Sequence, residues 1–191
     1  MAIVVVGGSG KDVGKTGVVC AVISALREYE WTAVKITGHD YPAGGSNESS
    51  AALVIREETR AGEETDTARF LRAGAKRALL VTRVGDEVPM DEIRAALGSD
   101  RNVVFESNRI LDAVKPDVCL ALVGGDERKA SFVRLMRAAD AVLTVQGSAA
   151  ETLREGVRRF QLESVDRLPA ELLTWLRERL DRVVTPRSEG R

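Results

Sequence analysis

Histidine is nearly absent from this 191-residue chain, which has one, and cysteine is limited to two. Cys20 and Cys119 lie about a hundred positions apart in the apolar runs Val-Val-Cys-Ala-Val and Asp-Val-Cys-Leu-Ala-Leu. One imidazole and two separated thiols do not make a zinc ligand set of the usual spacing. The cysteines read instead as buried, reduced thiols of a cytoplasmic protein. An excess of one charge is also lacking. The chain has 28 basic and 29 acidic side chains, a formal net charge of −1, which argues against nucleic-acid binding through bulk charge. Long hydrophobic runs are missing too: Ala2–Val6 reaches glycine after five residues. It has no basic flank and no small-residue cleavage site, and is expected to be neither signal peptide nor membrane span. There is no internal repeat and no Pro/Ser-rich linker. Lysine is scarce: 22 of the basic residues are Arg, and the six Lys stand at 11, 15, 35, 76, 115 and 129.

What is present is a soluble globular composition, 44% apolar and 30% charged, in a chain of single-domain length. Short runs rich in β-branched residues occur at Ala2–Val6, Thr32–Thr37, Arg77–Val84, Asn102–Glu106, Asp117–Val123 and Ala141–Val145. Most are apolar throughout, as strands buried on both faces of a parallel sheet are. Helical periodicity lies between them, at Lys15–Glu28, Thr65–Ala73, Met90–Leu97, Ile110–Val114 and Lys129–Ala138. This alternation predicts an α/β fold of three layers, a mostly parallel sheet with helices on both faces. Asp40–Glu64 reads as a long loop in which Ala51–Arg60 fits a helix or an extra strand equally well. A loop that long in a compact domain is more often functional than idle. Residues 1–147 are expected to form the α/β domain. Residues 148–191 are expected to be a helical extension packed on it, with Pro169 opening a helix over Ala170–Val183. Basic and acidic residues interleave at 151–191, as on a solvated surface.

The strongest motif runs from Val4 to Thr16: Val-Val-Val-Gly-Gly-Ser-Gly-Lys-Asp-Val-Gly-Lys-Thr. A strand ending in a glycine-rich loop that opens a helix aims backbone N–H groups and the positive helix end at one spot, which holds a polyphosphate. The candidate nucleotide-binding residues are Gly8, Ser9, Gly10, Lys11, Asp12, Val13, Gly14, Lys15, Thr16 and Gly17. Lys15 would bridge the β- and γ-phosphates, and the Thr16 hydroxyl would ligate Mg²⁺. The usual Gly-x-x-x-x-Gly-Lys-Ser/Thr spacing requires glycine at position 9, where this chain has Ser9; counted from Gly8 the loop is one residue longer. The expectation is a P-loop nucleotide-binding protein of the NTPase type.

Ligands of open α/β sheets sit at the carboxyl ends of the strands. On that edge the candidate metal groups are Thr16, Asp40 and Glu106, and the candidate catalytic groups are Lys15, Lys35 and Asp40. Glu106 as an edge carboxylate paired with an arginine such as Arg109 is the plainer alternative. Asp117 begins its strand on the opposite edge and reads as a structural cap. His39 stands where it can bind a phosphate or position a water. Asp66 and Arg69, one helical turn apart, can simply pair on a helix face. No Asn-Lys-x-Asp signature for guanine exists in the chain, so GTP and ATP both stay open. Loops around Asp126 or Gln146–Ser148 offer another route to the base.

Val34-Lys35-Ile36-Thr37-Gly38-His39-Asp40-Tyr41 resembles the end of the second strand in the molybdopterin-guanine dinucleotide biosynthesis protein B (MobB) family. So does Thr65-Asp66-Thr67-Ala68-Arg69 leading into Leu71-Arg72-Ala73-Gly74-Ala75, which matches that family's later segment. The three motifs fall in the same order over residues 1–84. Two of the family's histidines are replaced, by Ile36 and Gly38, and its Val-Glu-Gly-Phe segment appears as Phe105-Glu106-Ser107-Asn108. The resemblance implies a cytoplasmic, homodimeric, Mg²⁺-dependent protein with slow GTP hydrolysis. It would assist attachment of GMP to molybdopterin beside a guanylyltransferase, in molybdenum cofactor biosynthesis. The chain also resembles dethiobiotin synthetase in its longer loop ending Val-Gly-Lys-Thr and in Lys35. That resemblance implies an ATP-dependent ligase or kinase acting on a small acid. A nucleotide-gated binding module is the third reading.

Overall fold

The computed structural model describes residues 1–38, 54–83, 87–124, 130–145 and 153–184. β1 (Ala2–Gly8), β2 (Thr32–Gly38), β4 (Arg77–Arg83), β5 (Asn102–Glu106), β6 (Val118–Val123) and β7 (Ala141–Val145) fall on the six runs expected from sequence. Together with β3 (Val54–Glu57) and β8 (Arg158–Leu162) they form one eight-stranded sheet, in the order β3-β4-β2-β5-β1-β6-β7-β8. Every pairing is parallel except β3 with β4. β5 and β6 are buried at every residue, which explains why they read as continuous apolar runs rather than alternating ones.

Helices cover both faces. On one face α1 (Lys15–Ala25), α2 (Asp66–Ala73) and α5 (Ala170–Val184) pack Val18, Val22, Phe70, Leu172 and Leu176 against Val4, Val6, Leu120 and Leu122. On the other, α3 (Met90–Leu97) and α4 (Ala130–Ala138) pack Ile93, Leu97, Phe132 and Leu135 against Val5, Val34, Phe105 and Ala121. Alternate β1 residues serve opposite faces, as the pleat requires. This is the three-layer α/β fold expected from sequence.

Local chemistry sets several helix ends. At α2, Thr65 Oγ1 accepts from Ala68 N at 3.0 Å, and Gly74 closes the helix with φ +105°. α1 stops at Ala25 rather than Glu28 because the chain tightens there into a 3₁₀ turn at Arg27–Tyr29. The segment expected as a helix at Ile110–Val114 is a 3₁₀ turn at Arg109–Asp112.

Two corrections concern edge strands. Within Ala51–Arg60, Val54–Glu57 is a strand, antiparallel to β4. Among the described residues of 148–191, the helical reading holds over Ala170–Val184, while Arg158–Leu162 is instead a strand, β8, parallel to β7. In β8, Phe160 and Leu162 are buried in the core shared with α5, while Arg158, Arg159 and Gln161 are exposed. An edge strand with one wet face alternates, and the charged half of this one masked the pattern.

Among the described residues, no helix is long and apolar enough to cross a membrane.

Candidate functional site

β1 delivers the chain to the loop, and two side chains anchor it there. Asn108, just past β5, accepts from Gly8 N at 2.8 Å and donates to Gly8 O at 2.9 Å, extending the sheet by one amide. Ser9 is fully buried; its hydroxyl donates to Gly124 O at 2.6 Å and accepts from Gly124 N at 3.0 Å. The residue that departs from the usual spacing is therefore a clamp between the loop and the end of β6. Ser9→Gly, which restores a glycine there, is expected to destabilise the protein. Leaving the Gly124 groups unpaired costs about 1–3 kcal/mol. That predicts a melting temperature several degrees lower, at about 2–4 °C per kcal/mol for a chain of this size. Thermal unfolding followed by circular dichroism checks it.

Beyond Ser9 the loop turns back toward α1. Asp12 has φ +53° and Gly14 φ +98°, and such left-handed residues turn successive N–H groups toward one point. Gly14 is the N-cap of α1 and supplies no side-chain cap, so the first-turn amides of that helix keep their capacity for an anion. The Lys15 ammonium reaches back across the loop to Gly10 O at 2.7 Å. Val13 leans over Gly8, where an added Cβ would lie 2.7 Å from Val13 Cγ2. Lys11 and Asp12 are exposed on the rim.

The turn after β8 presses on the same loop. A Cβ at Gly14 would meet Val165 Cγ1 at 2.5 Å, and one at Gly17 would meet Asp166 Oδ1 and Val165 Cγ2 at 2.8 Å. Nothing in the sequence pointed to this contact, which joins residues about 150 positions apart.

The acidic part of the site lies between β1, β5 and β2. Thr16 Oγ1 donates to Glu106 Oε2 at 2.8 Å, and the other Glu106 oxygen receives Lys35 Nζ at 3.1 Å. Lys35 and Glu106 are register partners on adjacent parallel strands. The Lys35 ammonium also donates to Asp66 Oδ2, at the start of α2. Asp66 faces Arg69 at 3.8 Å, and Arg69 in turn lies 3.8 Å from Asp166 in the turn over the loop. Glu106 is 5% exposed and Lys35 21%.

Burial pushes the Lys35 ammonium down, but the charges of Glu106 and Asp66 and the hydrogen bonds to them outweigh it and raise its pKa. Burial likewise pushes the Asp66 carboxyl up. Lys35, with help from Thr16 and Arg69, reverses that and holds it below its ordinary value. The raised ammonium contributes stability in full below the ordinary lysine range and loses it as pH rises through the folded value. The depressed carboxyl contributes above the ordinary aspartate range and loses it as pH falls. Both are ionised at neutral pH. Cys20, half-buried on α1 with Asp66 and Glu106 nearby, has its thiol pushed up to about 11, chiefly by burial. It is inert as a nucleophile at neutral pH.

Thr16, Lys35 and Glu106 thus converge, with Lys15 next to Thr16 in the chain and turned to the loop, and Asp66 joins them although the sequence pointed only to a pair with Arg69. Asn108 and the 164–167 turn are further additions. Asp117 takes the structural part expected of it, accepting from Ile3 N at 2.8 Å. Asp40, His39, Asp126 and Gln146–Ser148 lie outside the described residues.

Among the described residues, no group of three or more His, Cys, Asp or Glu is arranged to hold a metal ion. The oxygens of Thr16, Glu106 and Asp66 nonetheless suit Mg²⁺. This ion keeps several waters and takes one or two carboxylates plus substrate phosphates rather than an all-protein cage. A positive charge, the Lys35 ammonium, already sits between the two carboxylates.

The parallel sheet, the strand order around β1 and the glycine loop opening α1 define a P-loop NTPase fold. In the solved structures this chain is similar to LpxK from Aquifex aeolicus, crystallised in complex with ATP, with a TM-score of 0.52 at 16% identity. The match covers 84% of this chain and 53% of that one, so the chain spans about half of its neighbour's length. No protein-family model and no curated protein matches the sequence.

Proposed function

We propose that the chain binds a nucleoside triphosphate with Mg²⁺ on the Gly8–Gly17 loop and hydrolyses it slowly. The observation that carries this is the convergence of Thr16, Glu106 and Lys35 at the mouth of a glycine loop whose helix end is left uncapped. Lys15 and the loop amides hold the phosphates, and Thr16, Glu106 and Asp66 hold the cation. The ATP in the LpxK crystal structure supports a nucleotide here. When bound, the cation supplies charge neutralisation of the phosphate oxygens. The residues contribute mainly position and electrostatics: fixed donors facing the place where negative charge develops.

In this reading the protein is an accessory factor in molybdenum cofactor maturation, acting on or beside molybdopterin with a guanylyltransferase. The support is the MobB-like order of motifs over residues 1–84. A ligase acting on a small acid is the second reading, favoured by the Lys35 ammonium at the phosphate edge.

Calorimetry of the purified protein with ATP and GTP, each with Mg²⁺, tests the shared core. Micromolar binding of at least one nucleotide is the expected result, and absence of binding to both overturns it. Turnover stimulated by a diamino acid and CO₂ selects the ligase. Slow basal hydrolysis unaffected by them selects the accessory factor.

A further inference from the structure

We propose that Lys35 is a built-in counter-cation that keeps Glu106 and Asp66 closed to a free divalent ion until a phosphate anion offers its ammonium another partner. This deepens the nucleotide-binding reading and rests on it: the divalent ion would enter with the nucleotide rather than ahead of it.

The geometry gives the reason. Both oxygens of the buried Glu106 are engaged, one by the Thr16 hydroxyl at 2.8 Å and one by Lys35 Nζ at 3.1 Å. Asp66 is tied to the same ammonium. A divalent ion approaching these oxygens meets a like charge at contact distance, and beside the buried Glu106 little water is present to screen it. With the ammonium present the cluster carries one net negative charge; without it, two. The choice of lysine fits the task in a chain with only six. A guanidinium would lock a carboxylate through two parallel hydrogen bonds. An ammonium on a flexible four-carbon stem can exchange partners. Lys35 stands in β2, in register with Glu106, and the loop that would present a phosphate starts at the end of β1, one strand beyond β5.

The test is titration of nucleotide-free protein with Mn²⁺, followed by electron paramagnetic resonance of the free ion. Lys35→Met is expected to bind Mn²⁺ at least about tenfold more tightly than wild type, the factor that corresponds to about 1.4 kcal/mol. Lys35→Arg, which keeps the charge, is expected to bind no better than wild type. The gain is expected to vanish in Lys35→Met/Glu106→Gln. Circular dichroism confirms folding of each variant, and Lys35→Gln replaces Lys35→Met if the latter does not fold. Equal Mn²⁺ affinity in wild type and the neutral variant overturns the proposal, as does a gain that survives in the double variant. A parallel titration of wild type with nucleotide present tests the underlying reading separately. Tight Mn²⁺ binding there, with no gain in the neutral variant, sinks the counter-cation and leaves the nucleotide site standing. The converse pattern sinks the nucleotide site and the release by phosphate with it, and leaves standing only the block that Lys35 sets against a free divalent ion.

Discussion

Lys15→Ala is expected to weaken Mg²⁺-nucleotide binding by about a hundredfold while leaving the fold intact. The ammonium lies inside the loop, 2.7 Å from Gly10 O, on the first residue of α1. From there its stem reaches any anion held by the loop amides. A hydrogen bond to a charged group contributes about 1.5–3 kcal/mol, and at about 1.4 kcal/mol per tenfold the upper end is a factor of about a hundred. The structural cost includes the bond from the half-buried ammonium to Gly10 O, about 1.5–3 kcal/mol for a charged donor, which is below the roughly 5–15 kcal/mol stability of a typical domain. Lys15→Arg is expected to recover only part of the affinity, since a planar guanidinium does not pack where a compact ammonium does. Calorimetry reads the affinity and a thermal melt reads the fold. Wild-type affinity in Lys15→Ala would remove the loop from any account of function.

The second large effect is structural. Gly7→Val is expected to destabilise the protein by about 2–3 kcal/mol and to abolish nucleotide binding, because overpacking a filled core forces neighbours to shift. An added Cβ at Gly7 would lie 2.5 Å from Leu135 Cδ1 and 2.6 Å from Asn108 Oδ1. Leu135 is fully buried and cannot swing into solvent. Asn108 cannot yield without giving up both of its bonds to Gly8, which set where the loop begins. The same substitution therefore strains the core and detaches the loop. Chemical denaturation measures the first effect and calorimetry the second. A variant as stable as wild type would show that the Asn108 clamp is dispensable.

Much of the fold follows from local pattern. β1 and β6 are apolar at nearly every position, and β5 is so between Asn102 and Glu106, because both faces of the sheet are covered, and such runs stand out in a chain rich in charge. The strands that were misread or left undecided, β8 and β3, are the two edges. An edge strand shares its residues between core and solvent, so Arg158 and Arg159 in one and Arg56 and Glu57 in the other dilute the signal that would mark them.

The phosphate loop was legible for a different reason. Its strand, glycines, lysine and threonine are contiguous, and their chemistry depends on backbone geometry within a dozen residues. Glu106 was legible as a carboxylate at the correct end of a strand, but its partners were not. That β2 lies beside β5, bringing Lys35 level with Glu106, is a matter of strand order. That α2 sets Asp66 against the same ammonium is a matter of packing. Ser9 appeared in the sequence as a departure from a spacing rule, and only its burial against Gly124 shows a clamp.

By itself, then, the sequence determined the alternation of strand and helix, the phosphate loop and the edge of the sheet where chemistry belongs. All three rest on interactions between residues close along the chain. The tertiary structure decided which distant side chains share that edge: Lys35 with Glu106 and Asp66, Asn108 with Gly8, Val165 with Gly14. Strand order and helix packing are global minima of burial and hydrogen bonding, and no local run of residues encodes them.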